Sequence, residues 1–452
     1  MVTELPFVNR WTRHFNEIIA AEISRLTRYC DCLIQWQPLD HDNGYLLEKI
    51  NCKNKLSIND DEHFPNIQSN QTDYCAILLN GTLNHHMDIQ TLLERLKNNL
   101  IRSSRLLVVT YNPYLRWIYK LANLFGIRKS PLPHTFITYI DLRNFARLSG
   151  FEIVRIRPCG YIPWRLFGIG SLLNGLIAAT PFFRWFSYAC VIMLRPVFRA
   201  STEAKKPSLS VIIPARNELG NIEHALKKMP DFGADLEVIF VEGNSTDGTW
   251  DEIQRVSKVY AERFRIKSFK QPGKGKNDAV RVGIREASNE VVTILDADLT
   301  MPPEFLKRFY DAYCLGQADF INGTRLVYPM EGKAMRFLNH LGNIFFAKAL
   351  SFVLETKVGD SLCGTKLFSK KDYERMTLWR ADFGDFDPFG DFELIFPAAV
   401  LGLGVVDIPV PYKARTYGST NISRFRDGLM LFKMTAIGFF RITCGSSNAR
   451  NR

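Results

Sequence analysis

Apolar residues along this chain fall in short continuous runs separated by amphipathic stretches. In the second half the runs are Leu209–Ala215, Leu236–Val241 (interrupted only by Glu237) and Val291–Leu295, with the more polar Arg265–Phe269 as a further strand candidate between the last two. Amphipathic stretches beginning at Trp250, behind a cap from Asp247 or Thr249, and at Asn277–Ala287 predict helices between them. Strands alternating with helices predict a parallel, doubly wound α/β sheet. The first half shows the same rhythm. Its strand candidates are Cys32–Trp36, Lys55–Ile58, Tyr74–Leu79, Arg105–Thr110, Phe151–Ile156 and Tyr188–Leu194. The helix candidates there are Asp88–Leu100, Pro113–Phe125 and Asp141–Ser149, the last ended by Gly150. Two stretches are more apolar. Ala334–Leu354 carries Met335, Leu338, Leu341, Phe345, Phe352 and Val353 on one stripe, widened by Phe346 and Leu350, with Arg336 and Lys348 beside it. This suits core packing or a helix lying in a membrane interface. Leu429–Phe440 is too short to span a bilayer, which takes ~20 residues, and Arg165, Pro181 and Arg184 interrupt Ile162–Phe186.

A length of 452 residues predicts two or three domains. The polar segment from Arg199 to Pro207 reads as a linker, giving one domain over 1–198, a linker over 199–207, a second domain over 208–442 and a basic tail over 443–452. The net charge of +12 favours an anionic leaflet or anionic substrates. No nucleic-acid recognition motif accompanies it, so nucleic acid is not an expected partner. The nine cysteines are scattered, with only Cys30 and Cys32 close together, and no zinc pattern appears. His85 and His86 lack partners at ligand spacing and read as a surface turn. Met1–Arg13 has no hydrophobic signal segment, so a reduced cytoplasmic setting at the inner face of a membrane is expected.

The chemistry sits where strands end. Val291–Leu295 runs into Asp296-Ala297-Asp298, two carboxylates at the carboxyl edge of the sheet, where open α/β folds bind ligands. Paired hard oxygens suit Mg²⁺ or Mn²⁺. Gly273-Lys274-Gly275-Lys276, after the strand candidate Arg265–Phe269, is a cationic glycine turn at the same edge. Acids and cations converging on one crevice point to a nucleotide-diphosphate site.

From about Ser208 to about Ile442 the chain resembles family 2 glycosyltransferases of the GT-A fold, most of all the dolichyl- or polyprenyl-phosphate sugar synthases. The motifs that carry this are Ser210–Glu218, Val241–Thr249, Gly273–Gly275, Asp296–Asp298, Gly323-Thr324-Arg325 and Arg415–Asn421. The resemblance implies an inverting, metal-dependent transfer of sugar from a nucleotide diphosphate. It implies donor contacts from Pro214, Arg216, Glu218, Glu242, Asp247, Lys274, Asp296 and Arg325, with Asp296 and Asp298 at the metal. Lys274 and Arg325 are then the fixed positive charge on the phosphates, at roughly 2–4 kcal/mol each. It also implies acceptor contacts from Arg415, Tyr417, Thr420 and Asn421, and a polyprenyl phosphate acceptor. The chain departs from the family in two places. Glu242 and Gly243 stand where two acids are usual, and Asn421 stands where a lysine often binds acceptor phosphate. For a base, Phe383–Glu393 offers Asp385, Asp387, Asp391 and Glu393, with Asp391 the first choice and Glu393 the second, or the loop is purely structural. A lipid phosphate is already anionic and needs no base; a hydroxyl acceptor, as in polysaccharide or glycolipid synthesis, does.

The order of elements over 1–198 resembles class I S-adenosylmethionine-dependent methyltransferases. Where that family carries a glycine-rich loop, Gln37–Gly44 has one glycine, Gly44, and Asp60 is the acid nearest the second strand's end. Close approach of backbone to a cofactor normally needs several positions without Cβ. The expectation is a domain without cofactor binding, serving structure or docking to a protein partner.

Overall fold

The structure is a computed structural model that describes residues 10–39, 42, 44–59, 74–126, 132–162, 170, 174, 177, 183, 186–198, 206–329, 337–383, 390–415, 417 and 424–443. These fall into two compact units, one drawn from 1–198 and 440–452 and the other from 199–439.

In the N-terminal unit six strands, β1 (Cys32–Trp36), β2 (Asn54–Ile58), β3 (Cys75–Asn80), β4 (Arg105–Tyr111), β5 (Phe151–Cys159) and β6 (Ala189–Pro196), form one sheet in the order β2-β1-β3-β4-β6-β5. The first four are parallel, and β6 runs antiparallel to both β4 and β5. All residues of β1 and nearly all of β3 and β4 are buried, as expected of parallel strands covered on both faces. Cys32 and Cys75 face each other across β1 and β3 and are joined by a disulfide, a pairing that the scattered cysteine spacing does not reveal. After β1, Asp42 ties the loop down: it accepts from Gln35 Nε2 at 2.6 Å, from Asn80 Nδ2 at 3.0 Å and from Gly44 N at 2.9 Å. Asp60 lies outside the described residues.

The C-terminal unit is a seven-stranded sheet of β7 (Leu209–Ala215), β8 (Leu236–Glu242), β9 (Arg265–Lys270), β10 (Val291–Ile294), β11 (Phe320–Thr324), β12 (Lys366–Ser369) and β13 (Val405–Pro409), ordered β13-β11-β12-β10-β7-β8-β9. The chain is mixed α/β with two sheets. β10, β7, β8 and β9 are parallel, while β12 runs antiparallel to β10 and β11. The strands read from the sequence are β7, β8, β9 and β10, whereas β11, β12 and β13 emerge only in the structure. Side chains of β7, β8 and β10 form the core with Ile222, Leu226, Ile253 and Phe309. Glu237, the polar exception in β8, is fully buried at the amino edge, where Ser210 Oγ and Ser288 N donate to it at 2.6 Å and Lys267 Nζ lies at 3.0 Å. The helix Lys276–Glu286 packs on β7 and β8. Gly283 makes that approach possible, because a Cβ there would collide with Ile212.

The long apolar stretch is the helix Phe337–Leu354, with its residues 334–336 outside the described ones. It buries Ala347, Leu350, Val353 and Leu354 and leaves Leu341, Phe345 and Phe352 exposed, so only part of the expected stripe faces the core. It packs against a second helix, Arg424–Gly438, which itself exposes Leu429 and Phe432. Among the described residues no helix is long and apolar enough to cross a membrane.

Candidate active site

The carboxyl ends of β7, β8 and β10 bring their acids together. Asn217, held at φ 55, interlaces the first two ends: its Oδ1 accepts from Thr246 N at 2.9 Å and its own N–H donates to Ser245 Oγ at 3.0 Å. The short polar side chain of asparagine tolerates that left-handed backbone. Beyond it, Glu218 is buried, and Asn221 Nδ2 donates to it at 2.7 Å. Burial pushes the Glu218 carboxyl up to about 7; the charges of Asp298 and Asp247 add to this, while Asn221 and Arg415 oppose it. Asp247 accepts from Thr249 and from the backbone N–H of Leu219 at 3.2 Å, and the Tyr417 hydroxyl donates to it, also at 3.2 Å. Burial works against its charge, yet these donors hold it below the usual carboxylate range.

Each carboxylate of the Asp-x-Asp pair holds a cation of its own. Asp296 pairs with Lys276, the first residue of the helix Lys276–Glu286. Asp298 receives Arg415 Nη2 at 2.7 Å and is braced by Thr300 N and Oγ1 at 3.1 and 2.9 Å. Burial disfavours the Asp296 charge, but Lys276, Lys366 and Arg325 keep its carboxyl low. Lys276 is raised, despite burial, chiefly by Asp296 and then Asp391. Gly364 closes over this pair, since a Cβ at that position would overlap both Lys276 Nζ and Asp296.

Several expected residues are exposed or already have partners of their own. Lys274 is exposed in the turn, and Lys276, two residues on, is the lysine that reaches the acids. Arg325 is held by the buried Asp360 through Nε at 2.6 Å and Nη2 at 2.9 Å, so its guanidinium already has a fixed carboxylate partner. Glu242 is buried and accepts the Ser245 N–H within its own turn. Pro214 is half-buried in β7 and Arg216 is exposed just after it.

The two candidate bases separate. Asp391 accepts from the fully buried Lys366 Nζ at 2.6 Å. Glu393 takes Asn277 Nδ2 at 2.6 Å, Arg281 Nη2 at 2.6 Å and Arg281 Nε at 3.1 Å, with Arg380 on the same carboxylate. A carboxylate enclosed by two guanidiniums and an amide ties these helices together. Asp385, Asp387, Thr420 and Asn421 lie outside the described residues. Arg415 pairs with Asp298. Tyr417 lies against Gly220, where a Cβ would meet its ring at 2.8 Å. Arg415 and Tyr417, expected at the acceptor, thus contact Asp298 and Asp247.

As donor oxygens, Asp296 and Asp298 fit Mg²⁺ or Mn²⁺. Among the described residues no group of three or more His, Cys, Asp or Glu is arranged so that it could hold a metal ion by itself. Diphosphate oxygens and water are the natural further ligands, and the ion has Lys276 and Arg415 as competitors.

Residues 210–377, which include the Asp-x-Asp pair and the Gly-Lys-Gly turn, match the family model Glycosyl transferase family 2. The chain carries a family 2 glycosyltransferase domain. Over 222 residues it is 36% identical to dolichol-phosphate mannosyltransferase of Pyrococcus furiosus, covering 47% of this chain and 59% of that protein. Over 235 residues it is 27% identical to dolichyl-phosphate hexose transferase of Haloferax volcanii, covering 51% of this chain and 94% of that one. Among solved structures, glucosyl-3-phosphoglycerate synthase from Mycobacterium tuberculosis aligns at 18% identity and a TM-score of 0.38, over 53% of this chain and 82% of that one. This last likeness is too distant to position any residue of the glycosyltransferase domain.

Proposed function

We propose that the C-terminal unit moves a hexosyl group from a nucleoside-diphosphate sugar to a polyprenyl phosphate of the dolichyl type, with inversion at the anomeric carbon. The observation that carries this reading is the cluster at one sheet edge: Glu218, Asp247, Asp296 and Asp298, with Lys276 and Arg415 among them. Two relatives whose names specify dolichol or dolichyl phosphate support the acceptor class. An acceptor phosphate oxygen forms the new bond to the anomeric carbon while the bond to the donor diphosphate breaks, its electron pair leaving with the nucleotide. Mg²⁺ or Mn²⁺ held by Asp298, with Asp296 beside it, supplies neutralisation of the charge growing on that leaving group. Lys276 and Arg415 add fixed positive charge in the same place. Because a phosphate monoester is largely anionic near neutral pH, no base is required. Asp391, already bonded to Lys366, serves position rather than proton transfer.

The exposed apolar residues Leu341, Phe345, Leu429 and Phe432 are consistent with work at a membrane surface on its cytoplasmic face. The N-terminal unit, four parallel strands closed by an antiparallel pair, reads as a methyltransferase-like scaffold whose cofactor loop is tied shut by Asp42.

The test is transfer from a panel of nucleoside-diphosphate sugars to polyprenyl phosphate with Mg²⁺ or Mn²⁺ present. Lipid-linked sugar from one donor is the expected result. Transfer to free sugar hydroxyls with no response to lipid phosphate rejects the acceptor, and no donor turnover at all rejects the enzyme reading.

A further inference from the structure

The helix Arg116–Leu124 in the N-terminal unit has two apolar faces. One is its seat. Tyr119 is fully buried, its hydroxyl donates to Tyr188 O at 2.9 Å, and its ring stacks on Tyr188 at 4.6 Å between centroids. The entry is fixed as well: Asn112 Oδ1 accepts from Tyr114 N at 2.9 Å, and its Nδ2 donates to Ser187 O at 2.7 Å. The other face points to solvent. Tyr114, Trp117, Leu121, Leu124 and Phe125 recur at helical spacing, and Trp117, Leu124 and Phe125 are 60%, 77% and 71% exposed. A surface helix of a soluble protein ordinarily turns polar residues outward, so a rigidly mounted aromatic and aliphatic stripe marks an interaction face.

The charge around it selects the partner. Arg116 and Lys120 are exposed on the same helix, and Arg128 and Lys129 follow in sequence. No aspartate or glutamate occurs between Glu94 and Asp141. Aromatic and leucine side chains flanked only by cations match a layer of anionic headgroups over acyl chains. We propose that this helix, with Tyr114 and Phe125 at its ends, docks on an anionic lipid surface. The contact belongs to the N-terminal unit and is independent of the catalytic reading, because it is measured without donor or acceptor.

The full chain is sedimented with vesicles of phosphatidylcholine alone and of phosphatidylcholine with phosphatidylserine. Preferential binding to the mixed vesicles is expected. Trp117→Ser/Leu121→Ser/Leu124→Ser/Phe125→Ser is expected to weaken that binding at least about tenfold. Arg116→Gln/Lys120→Gln, which keeps every exposed apolar side chain and gives up only the Arg116 guanidinium's place 5.3 Å from the Phe136 ring centroid, is expected to erase the preference for phosphatidylserine and decides the matter if the quadruple variant melts early. The inference is overturned if the quadruple variant folds and binds like wild type, or if wild type binds neither vesicle. Loss confined to Leu429→Ser/Phe432→Ser also overturns it, leaving the catalytic unit as the membrane contact. A dimer that the quadruple variant converts to monomer overturns it too, making the face a contact between copies.

Discussion

The two sheets end differently at the same place. Behind β1, one carboxylate, Asp42, is met by the amides of Gln35 and Asn80 and by a backbone N–H. The three donors there are all neutral. Behind β7, β8 and β10, four acids share a crevice with two cations, and one acid, Glu218, is pushed up to about 7. A similar parallel core therefore supports a closed loop in one unit and opposed charges in the other. Architecture does not distinguish them; the local electrostatics do.

The largest break in that contrast comes from Asp298→Ala. Loss of this proposed metal ligand is expected to lower transfer by about a thousandfold or more, with the melting temperature near that of wild type. Activity within about tenfold of wild type in metal-containing buffer removes the metal pair from the reaction. Arg415→Ala comes next. It strips Asp298 of its competing cation, so donor binding with Mn²⁺ is expected to hold or tighten while transfer to polyprenyl phosphate falls about a hundredfold. Calorimetry with the donor and lipid-acceptor kinetics on one preparation read the two arms. Equal loss in both assigns Arg415 to the donor alone.

A smaller effect follows from Glu218. Its folded value of about 7 lies above the ordinary 4.5, so the folded state holds this proton more tightly than the unfolded chain. Wild type therefore loses stability as pH rises across that window, and Glu218→Gln does not. Unfolding free energies of the pair, from denaturant titrations, are expected to diverge in favour of Gln by about 2 kcal/mol between pH near 5 and pH near 8. Parallel curves mean that Glu218 is ordinarily ionised. The smallest expected effect is none: S-adenosylmethionine added to the full chain gives no calorimetric signal at physiological concentration. A micromolar dissociation constant makes the two edges alike after all and the protein bifunctional.

Much of this is legible in the chain. Continuous apolar runs located β7, β8 and β10 closely, since residues buried on both faces leave little room for polar substitution. The Asp-x-Asp pair was equally plain. Which lysine meets it was not: Lys274 and Lys276 occupy the same cationic turn, and only the first turn of the following helix turns the second toward Asp296. The Arg325–Asp360 pair and the clamp on Glu393 by Arg281 and Arg380 join distant segments, as does Cys32 with Cys75. Such pairings depend on strand register and helix phase, which single residues do not encode. Asp391 and Glu393 differ by one turn's geometry, and that difference separates a lysine-bonded loop acid from a structural clamp.

β12 runs against its neighbours, and this has a consequence for the order in which the molecule forms. Its first residue, Lys366, arrives at the edge that β7, β8 and β10 leave. Gly364 and the Lys366–Asp391 bond are therefore supplied by a segment made long after Asp296 and Asp298, and Arg415 comes later still. During synthesis the nascent crevice holds its four acids and Lys276 before Arg415 exists. The parallel strands can pair early, whereas the site must wait for contacts of high sequence separation, which are slow to close. Binding competence is then a late acquisition of the chain, gained only when its C-terminal third has folded back.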